Sequence, residues 1–329
     1  MNRSSRLRPL VAAGAAVLLA GCGPKESGDN KPVAAIPPAD VGKPMMQKGV
    51  IGVSLLTLAN PFFKDMGDAM TAEGKKHGYD VVITAAEMDP ALQRDQVKDF
   101  LVKKVSAIVL CPADSRSIGT SIQEANKAGI PVFTADIACL DKSAKVVSHI
   151  ATDNYSGGKL AGQAMLEAIG GKGKVAIIDH PEVESVIQRT KGFKEAIAGK
   201  PVQIVAQLPG GAARDTSYKT AQDILEKNPQ LDGIFCINDP TALGAIAALE
   251  KAGRADKVKV IGFDGQPEAK QAIKQGKIYA DAIQFPDKIG ALTVQTIAKY
   301  MAGEKVEPQQ LIPTGLYRKA DAEKDSTLK

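Results

Sequence analysis

The feature that most restricts the fold of this chain is a regular alternation of short β-branched runs with segments of helical period. Apolar strands that alternate with helices predict parallel sheets covered on both faces. The chain therefore belongs to the α/β class. Ten runs have strand character, at residues 49–56, 80–84, 106–110, 130–134, 145–150, 174–179, 201–206, 232–237, 257–263 and 277–283.

Two stretches of the chain repeat one pattern. Residues 106–136 and 232–264 each run through a strand, a polar turn, a helix that contains Lys-Ala-Gly and a second strand, and each ends in an aspartate. The repeat predicts two similar lobes, each a doubly wound parallel sheet, with Asp136 and Asp264 at equivalent strand ends.

The N-terminus has the pattern of an export signal. Three arginines precede an apolar run at residues 10–20 that is too short to span a bilayer as a helix. The run ends in Leu-Ala-Gly-Cys, which resembles a bacterial lipobox and implies cleavage after residue 21 and a lipid on Cys22. We predict a lipoprotein signal peptide at 1–21 and, because 22–47 is rich in proline without apolar periodicity, a flexible tether there.

The net charge and the spacing of the histidines argue against a nucleic-acid-binding protein and a metalloprotein. The formal net charge of +5 falls to +2 once the arginines of residues 1–21 are removed, so no nucleic-acid partner is expected. His77, His149 and His180 lack the spacing of metal ligands, and we predict neither a metal nor a cofactor.

The cysteines do not form a disulfide framework. Besides Cys22 there are three, an odd number. Cys111 and Cys139 each follow a strand-like run and either pair or remain free. Cys236 lies in an apolar run and is expected to pack as a small apolar residue.

Polar residues gather where the predicted strands end. Open parallel sheets bind ligands beyond the carboxyl ends of their strands, so these residues mark the expected site. Carboxylates and amides without a cation among them suit an uncharged ligand rich in hydroxyl groups. The residues are Asn60, Asp114, Asp136, Asn238, Asp239 and Asp264.

Some of these residues also fit a purely structural role. Asn60 and Asp239 precede prolines that suit the first position of a helix, and Asp114 precedes a helical segment, so all three fit N-caps. We predict a capping role for Asp114 and Asp239. Asp136 and Asp264 precede no clear helix start, and for them we predict ligand contact.

The segment Thr57–Asp65, TLANPFFKD, places two phenylalanines side by side. On helical spacing Phe63 shares a core-facing stripe with Met66 and Met70. Phe62 lies about 100° around the helix, nearer the expected crevice. Spacing alone therefore predicts that Phe62 meets the ligand and that Phe63 lies in the core.

From about Gly49 to Leu316 the chain resembles type I periplasmic sugar-binding proteins of the ribose-binding branch. The resemblance implies two lobes joined by a three-crossover hinge, at about 150–151, 284–285 and 312–313. It assigns 48–150 plus 285–312 to the N-terminal lobe and 151–284 plus 313–329 to the C-terminal lobe. It rests on the motifs NPFF (60–63), DPALQRDQV (89–97), VVSHIATDN (146–154), NDPTALGA (238–245), VIGFDG (260–265) and AIQFPDKIG (282–290).

The resemblance also implies a set of ligand contacts, which includes both phenylalanine rings. Four positions depart from the ribose pattern, namely Leu56, Ile137, Ile187 and Ala212. They leave the sugar unspecified and fit a deoxy sugar, a methyl-bearing furanose or a cyclic polyol. Arg189, two residues beyond the lost arginine position at Ile187, is expected to face away from the site. The implied ligand-binding residues are Asn60, Phe62, Phe63, Asp136, Asn238, Asp264 and Gln284.

The function implied is capture of a sugar or polyol for the permease of an ABC importer, by a lipid-anchored monomer in the periplasm or cell envelope. An enzyme is not expected, since no Gly-x-Gly-x-x-Gly turn follows a strand and neither a P-loop nor a Gly-x-Ser-x-Gly elbow occurs. The alternative is a binding protein for a chemoreceptor or sensor kinase, for example one that senses a furanose quorum signal. The sequence does not separate import from signalling.

Overall fold

The computed structural model describes residues 48–328. The predicted signal peptide at 1–21, the tether at 22–47 and the lipidation site Cys22 lie outside the described residues. The described chain builds two six-stranded sheets, called here the sheets of the first and second lobes.

In the first lobe the strand order is β11-β5-β4-β3-β1-β2, and every neighbouring pair is parallel. Inner strands are buried on both faces, as parallel sheets require. The strands are β1 (Gly49–Leu55), β2 (Tyr79–Ala85), β3 (Ala107–Leu110), β4 (Val132–Ala135), β5 (His149–Thr152) and β11 (Gln309–Ile312).

In the second lobe the order is β12-β10-β9-β8-β6-β7. All pairs are parallel except β10 with β12. The strands are β6 (Gly173–Asp179), β7 (Val202–Pro209), β8 (Gly233–Cys236), β9 (Lys259–Asp264), β10 (Ala280–Ile283) and β12 (Gly315–Arg318).

Helices connect most of the strands. Several begin at the N-cap and proline signals present in the sequence: Asn60 and Asp89 each cap a helix whose next residue is proline. The helices are α1 (Pro61–His77), α2 (Pro90–Val102), α3 (Ile118–Lys127), α4 (Asn154–Ala168), α5 (Glu184–Ile197), α6 (Arg214–Lys227), α7 (Asp239–Lys251), α8 (Pro267–Lys274), α9 (Pro286–Met301) and α10 (Lys319–Ala322).

The predicted fold class is confirmed. All ten predicted strands are present, while β5 begins later than predicted and ends at Thr152. Two late strands, β11 and β12, were not predicted. The chain passes between the two sheets three times, after β5, after β10 and between β11 and β12. The residue-by-residue division into lobes given above stays a prediction.

Two further features bear on the sequence predictions. Cys111, Cys139 and Cys236 are all free, and Cys111 and Cys236 are fully buried. Within residues 48–328, every helix falls short of the length and apolarity needed to cross a membrane.

Candidate functional site

The carboxyl ends of strands from both sheets face one cavity of about 330 Å³. Asp136 directly follows β4, Asp264 ends β9 and Gln284 directly follows β10, while Asn60 and Asn238 are the N-caps of α1 and α7. All seven residues that the resemblance proposed as ligand contacts lie on the cavity wall. The structure thus brings together residues up to 224 positions apart in the chain, from 60 to 284. Their contact with a ligand stays a prediction.

Both phenylalanine rings line the cavity. Phe62 and Phe63 are almost fully buried, and their ring centroids are 5.2 Å apart at an interplanar angle of 84°. Met66 and Met70, the other members of the predicted core stripe, are fully buried as expected. Spacing alone assigned Phe63 only to the core, whereas this edge-to-face pair exposes both rings to the cavity.

Asp136 presents an unpaired oxygen. Its side chain is 3% exposed, and its Oδ1 has no hydrogen-bond partner among the described residues. Its backbone is in the left-handed region, with φ of 65°, which costs a non-glycine residue free energy. Burial raises the pKa of Asp136 to about 7, with Arg189 acting against the rise and Asp264 adding to it.

Asp264 forms a buried network with two neighbours. Its Oδ1 accepts hydrogen bonds from Gln284 Nε2 at 2.7 Å and from Arg189 Nη1 at 3.2 Å. Burial raises the pKa of Asp264, and Arg189 and Gln284 oppose the rise. Gln284 Oε1 has no hydrogen-bond partner among the described residues, so it is a second unpaired acceptor in the cavity wall.

The prediction that Arg189 faces away from the site is wrong. Arg189 is 4% exposed and lines the cavity. Its Nε donates to Asn154 Oδ1 at 2.8 Å, its Nη1 also donates to the carbonyl oxygen of Ile237 at 2.7 Å, and its guanidinium lies 3.9 Å from the centroid of the Phe263 ring.

The prediction failed because it took Ile187, which does not face the cavity, as the reference position on α5. The inward face of α5 runs through Val186, Arg189, Phe193 and Ile197, at steps of three or four, and these four are buried. Ile187 lies off that face and does not line the cavity. The apolar period of α5 itself was the signal that places Arg189 inward.

Neither Asp114 nor Asp239, the two residues predicted to be caps, is the N-cap of a helix. Asp114 Oδ1 accepts from the backbone N–H groups of Arg116 and Ser117 in the turn before α3, but the N-cap of α3 is Ser117 and not Asp114. Asp239 is not a cap. The cap of α7 is Asn238, whose Oδ1 accepts from Thr241 N at 2.9 Å, while Asp239 is the first helical residue and is fully buried.

Apolar residues also line the cavity. Three of the four positions that depart from the ribose pattern, Leu56, Ile137 and Ala212, line it, and sequence reasoning missed three more apolar residues beside them. Side chains of this kind cannot pair a hydroxyl group, so a hydroxyl group placed against them would be buried without a partner. The missed residues are Met88, Val183 and Val186.

The described residues contain no cluster of His, Cys, Asp and Glu arranged to hold a metal ion. The cavity wall instead offers buried acceptors, the buried guanidinium of Arg189 and two aromatic rings. A set of this kind can bind hydroxyl groups through carboxylate and amide oxygens and can pack against the C–H face of a ring.

Direct hydrogen bonds join the two lobes. Gln266 Nε2 donates to Asn60 Oδ1 at 2.7 Å. Elsewhere between the lobes, Ser115 N donates to the carbonyl oxygen of Glu182 at 3.0 Å, and Glu184 N donates to Ser115 Oγ at 2.9 Å. The lobes are therefore in contact and the structure is a closed form.

Two similar α/β lobes that close over a cavity at their strand ends define a two-lobed solute-binding protein. A family model described as periplasmic binding protein domain matches residues 51–305, and the chain belongs to that family, in its type I sugar-binding group.

Curated relatives and solved structures agree with this membership. The ribose import binding protein of Salmonella typhimurium is 37% identical over 270 residues, which cover 82% of this chain and 90% of the relative. A periplasmic solute-binding protein of an ABC transporter from Actinobacillus succinogenes, solved with bound D-allose, is 31% identical with a TM-score of 0.78, covering 84% of this chain and 100% of that chain. An ABC transporter solute-binding protein from Agrobacterium vitis, solved with bound D-fucose, is 32% identical with a TM-score of 0.79, covering 84% and 97%.

Proposed function

We propose that this protein captures a monosaccharide or polyol between its lobes and delivers it to an ABC-type sugar importer. The observation that carries the proposal is the closed cavity in which two buried acceptors, Asp136 Oδ1 and Gln284 Oε1, lack partners. Unpaired buried acceptors are costly unless a ligand supplies donors, and sugar hydroxyl groups are such donors. The relatives that import ribose and the structures that hold D-allose and D-fucose support the same class of ligand.

The seven proposed contact residues are assigned different roles in recognition of the ligand. Asp136, Asp264 and Gln284 accept or orient hydroxyl groups, and Asn60 and Asn238 shape the rim from their capping positions. The rings of Phe62 and Phe63 pack against the C–H face of the sugar.

The apolar residues of the cavity restrict the range of ligands that it can bind. A hydroxyl group placed against Leu56, Ile137 or Val186 would be buried without a partner, which costs about 1–3 kcal/mol. A methyl or methylene group at the same place gains about 0.8 kcal/mol for each buried carbon. We therefore propose a ligand that presents an apolar group as well as hydroxyl groups, such as a deoxy sugar or a methyl-bearing furanose.

A thermal-shift experiment with matched sugars tests both proposals. Ligand at about 100 times its dissociation constant adds roughly 2.7 kcal/mol of stability, so a true ligand raises the melting temperature measurably. We would compare D-fucose with D-galactose, which differ by one hydroxyl group, and 2-deoxy-D-ribose with D-ribose, and add D-allose and myo-inositol.

The expected result is a shift with at least one sugar that is larger for the deoxy member of a pair. The Asp136→Ala variant should lose the shift, and Asp256→Asn, which changes an exposed carboxylate far from the cavity wall, should keep it. No shift with any sugar would contradict sugar capture. Larger shifts for the fully hydroxylated member of both pairs would contradict only the proposed apolar group of the ligand.

We further propose that the protein works as a monomer, held at the membrane by a lipid on Cys22, which lies outside the described residues. The lipobox-like ending of the signal segment supports the anchor. Labelling cells with a radioactive fatty acid should mark the wild type and not a Cys22→Ser variant. Light scattering on a purified chain that begins after Cys22 should give the mass of one copy.

A further inference from the structure

A pair of carboxyl groups that the cavity does not use lies buried in the second lobe. Asp239, at the start of α7, and Asp281, in β10, are both fully buried. Their Oδ1 atoms both lie beside Gly262: a methyl group added to this glycine would lie 3.3 Å from Asp239 Oδ1 and 3.2 Å from Asp281 Oδ1. Both Oδ1 atoms therefore approach the same point, the Cβ position that Gly262 leaves empty.

Near their Oδ1 atoms, the two carboxyl groups have nothing else among the described residues that would stabilise a negative charge. Neither Oδ1 atom has a hydrogen-bond donor among the described residues. The nearest cation, Arg189, is committed to Asp264, and the remaining titratable neighbours are Asp264 itself and the thiol of Cys236. Two ionised carboxylates in this place would repel each other without a counter-charge.

The Oδ2 atoms of the pair bind the backbone of the turn that follows β9. Gly265 N donates to Asp281 Oδ2 at 3.1 Å, and Gln266 N donates to Asp239 Oδ2 at 2.6 Å. Asp264 and Gly265 both have positive φ, 119° and 79°, so the turn needs such anchors. The same turn carries Asp264 into the cavity and Gln266 across to Asn60.

We propose that Asp239 and Asp281 share a proton as a carboxylic acid–carboxylate pair and act as positioning residues that hold the turn 264–266 in its ligand-binding geometry. The shared proton lies between the two Oδ1 atoms, which leaves both Oδ2 atoms free to accept from the backbone. Burial and mutual repulsion raise the pKa of Asp239, and burial raises that of Asp281 to about 7. Burial and mutual repulsion therefore favour the form of the pair that holds a proton.

Infrared spectroscopy of the ligand-free protein at pH 8 tests the pair. A protonated carboxyl group gives a carbonyl band separate from the amide band, and this band should move when aspartate is labelled with ¹³C at its side-chain carboxyl. Asp239→Asn and Asp281→Asn should each remove the band, and Asp256→Asn should keep it. A wild-type spectrum without the band at pH 8 would overturn the proposal, even if no variant folded.

Melting temperatures give a second, independent readout. Asparagine at either position supplies a permanent N–H to the other carboxylate and needs no proton. Each single variant should therefore melt within about 2 °C of the wild type at pH 5 and progressively above it towards pH 8, because only the wild type must hold a proton at alkaline pH. A stabilisation by asparagine that is the same at pH 5 and pH 8 would indicate two ionised groups and overturn the proposal.

The double variant adds a geometric test. With asparagine at both positions, two NH₂ groups would face each other, or a backbone N–H of the turn would lose its acceptor. It should melt below both single variants at pH 5. A double variant as stable as the single variants would overturn the facing geometry. The role of the turn in sugar binding rests on the proposed function, but every readout here is taken without sugar, so either idea can fail alone.

Discussion

Among single residues, Asp136 has the clearest functional geometry. Its Oδ1 is buried and unpaired, and its backbone is held at positive φ at the carboxyl end of β4. Among the described residues nothing pairs with this oxygen, and we propose that its donor arrives with the ligand.

We expect Asp136→Ala to weaken binding of the sugar found in the thermal-shift panel by about 2–5 kcal/mol, since the sugar hydroxyl group would be buried without its acceptor. Isothermal titration calorimetry measures the loss. Thr216→Ala, at the cavity rim, is the comparison and should cost less. Equal affinities of Asp136→Ala and the wild type would remove Asp136 from the site.

The titration of Asp136 gives a second expectation. With a pKa of about 7 in the empty closed site, the carboxyl group is largely protonated below neutrality. Sugar hydroxyl donors favour the ionised form, so binding releases a proton at acidic pH. Affinity should rise with pH from about 5 to 7, by at most about tenfold per unit, and level off above.

Calorimetry in two buffers of different ionisation enthalpy measures that proton release directly. The Asp136→Asn variant should bind with an affinity nearly independent of pH over the same range. A wild-type affinity that falls as pH rises from 5 to 7 would contradict the assigned direction.

Individual residues also show how far sequence could predict the site. Asn60, Asp136, Asn238 and Asp264 could be predicted from the chain because they follow a strand end or open a helix, and helical spacing added Phe62. Phe63 and Gln284 were named only by the family resemblance. The roles of Arg189 and of the Asp239–Asp281 pair could not be predicted, because they depend on which side chains from distant elements meet in the interior. Asp239 was assigned to a cap since its neighbour is proline, yet Asn238 takes the cap and Asp239 turns inward.

At the scale of elements, helix α5 ties the second lobe together through one side chain. Arg189 bonds to Asn154 at the start of α4, to the carbonyl oxygen of Ile237 after β8 and to Asp264 at the end of β9. Three separate elements therefore depend on a single guanidinium group.

We expect Arg189→Met to destabilise the protein by about 3–5 kcal/mol, because Asp264 would lose its cation while it remains buried. The loss should be larger at pH 8 than at pH 5, since without Arg189 a protonated Asp264 is favoured at acidic pH. Urea unfolding at both pH values measures it. Arg94→Met, on an exposed position of α2, is the control and should change stability by less than about 0.5 kcal/mol. A loss as small as in that control would contradict the role given to Arg189.

Strand prediction succeeded where the strand is buried and failed where pairing alone defines it. The inner strands are continuous apolar runs, which the sequence shows directly. By contrast, β11 and β12 are four-residue edge strands, and β11 alternates between exposed and partly buried positions. Their strand character comes from pairing with β5 and β10, and local sequence does not record that pairing.

At the scale of the whole molecule, direct hydrogen bonds join the two lobes. Ser115 follows β3 of the first lobe and lies outside the cavity wall, yet it bonds to two backbone groups of the second lobe. Contacts of this kind favour the closed form without touching the ligand.

We expect Ser115→Ala to weaken sugar binding by about 0.5–1.5 kcal/mol, up to roughly tenfold, because the closed form loses one hydrogen bond. Ser143→Ala, which removes a hydroxyl group bonded only within the first lobe, should leave affinity unchanged. Calorimetry measures the affinity, and small-angle scattering should show a more open ligand-free ensemble for Ser115→Ala. Unchanged affinity and scattering would mean that this contact does not contribute to closure.

The hydrogen bonds between the lobes also affect how fast a bound ligand is released. A ligand enclosed between lobes that are joined by Asn60–Gln266 and Ser115–Glu184 has to wait for these contacts to break before it escapes. Its residence time is then governed by the opening rate of the lobes as well as by the strength of its own contacts. A transporter that pries the lobes apart would hasten release without changing a single sugar-binding residue.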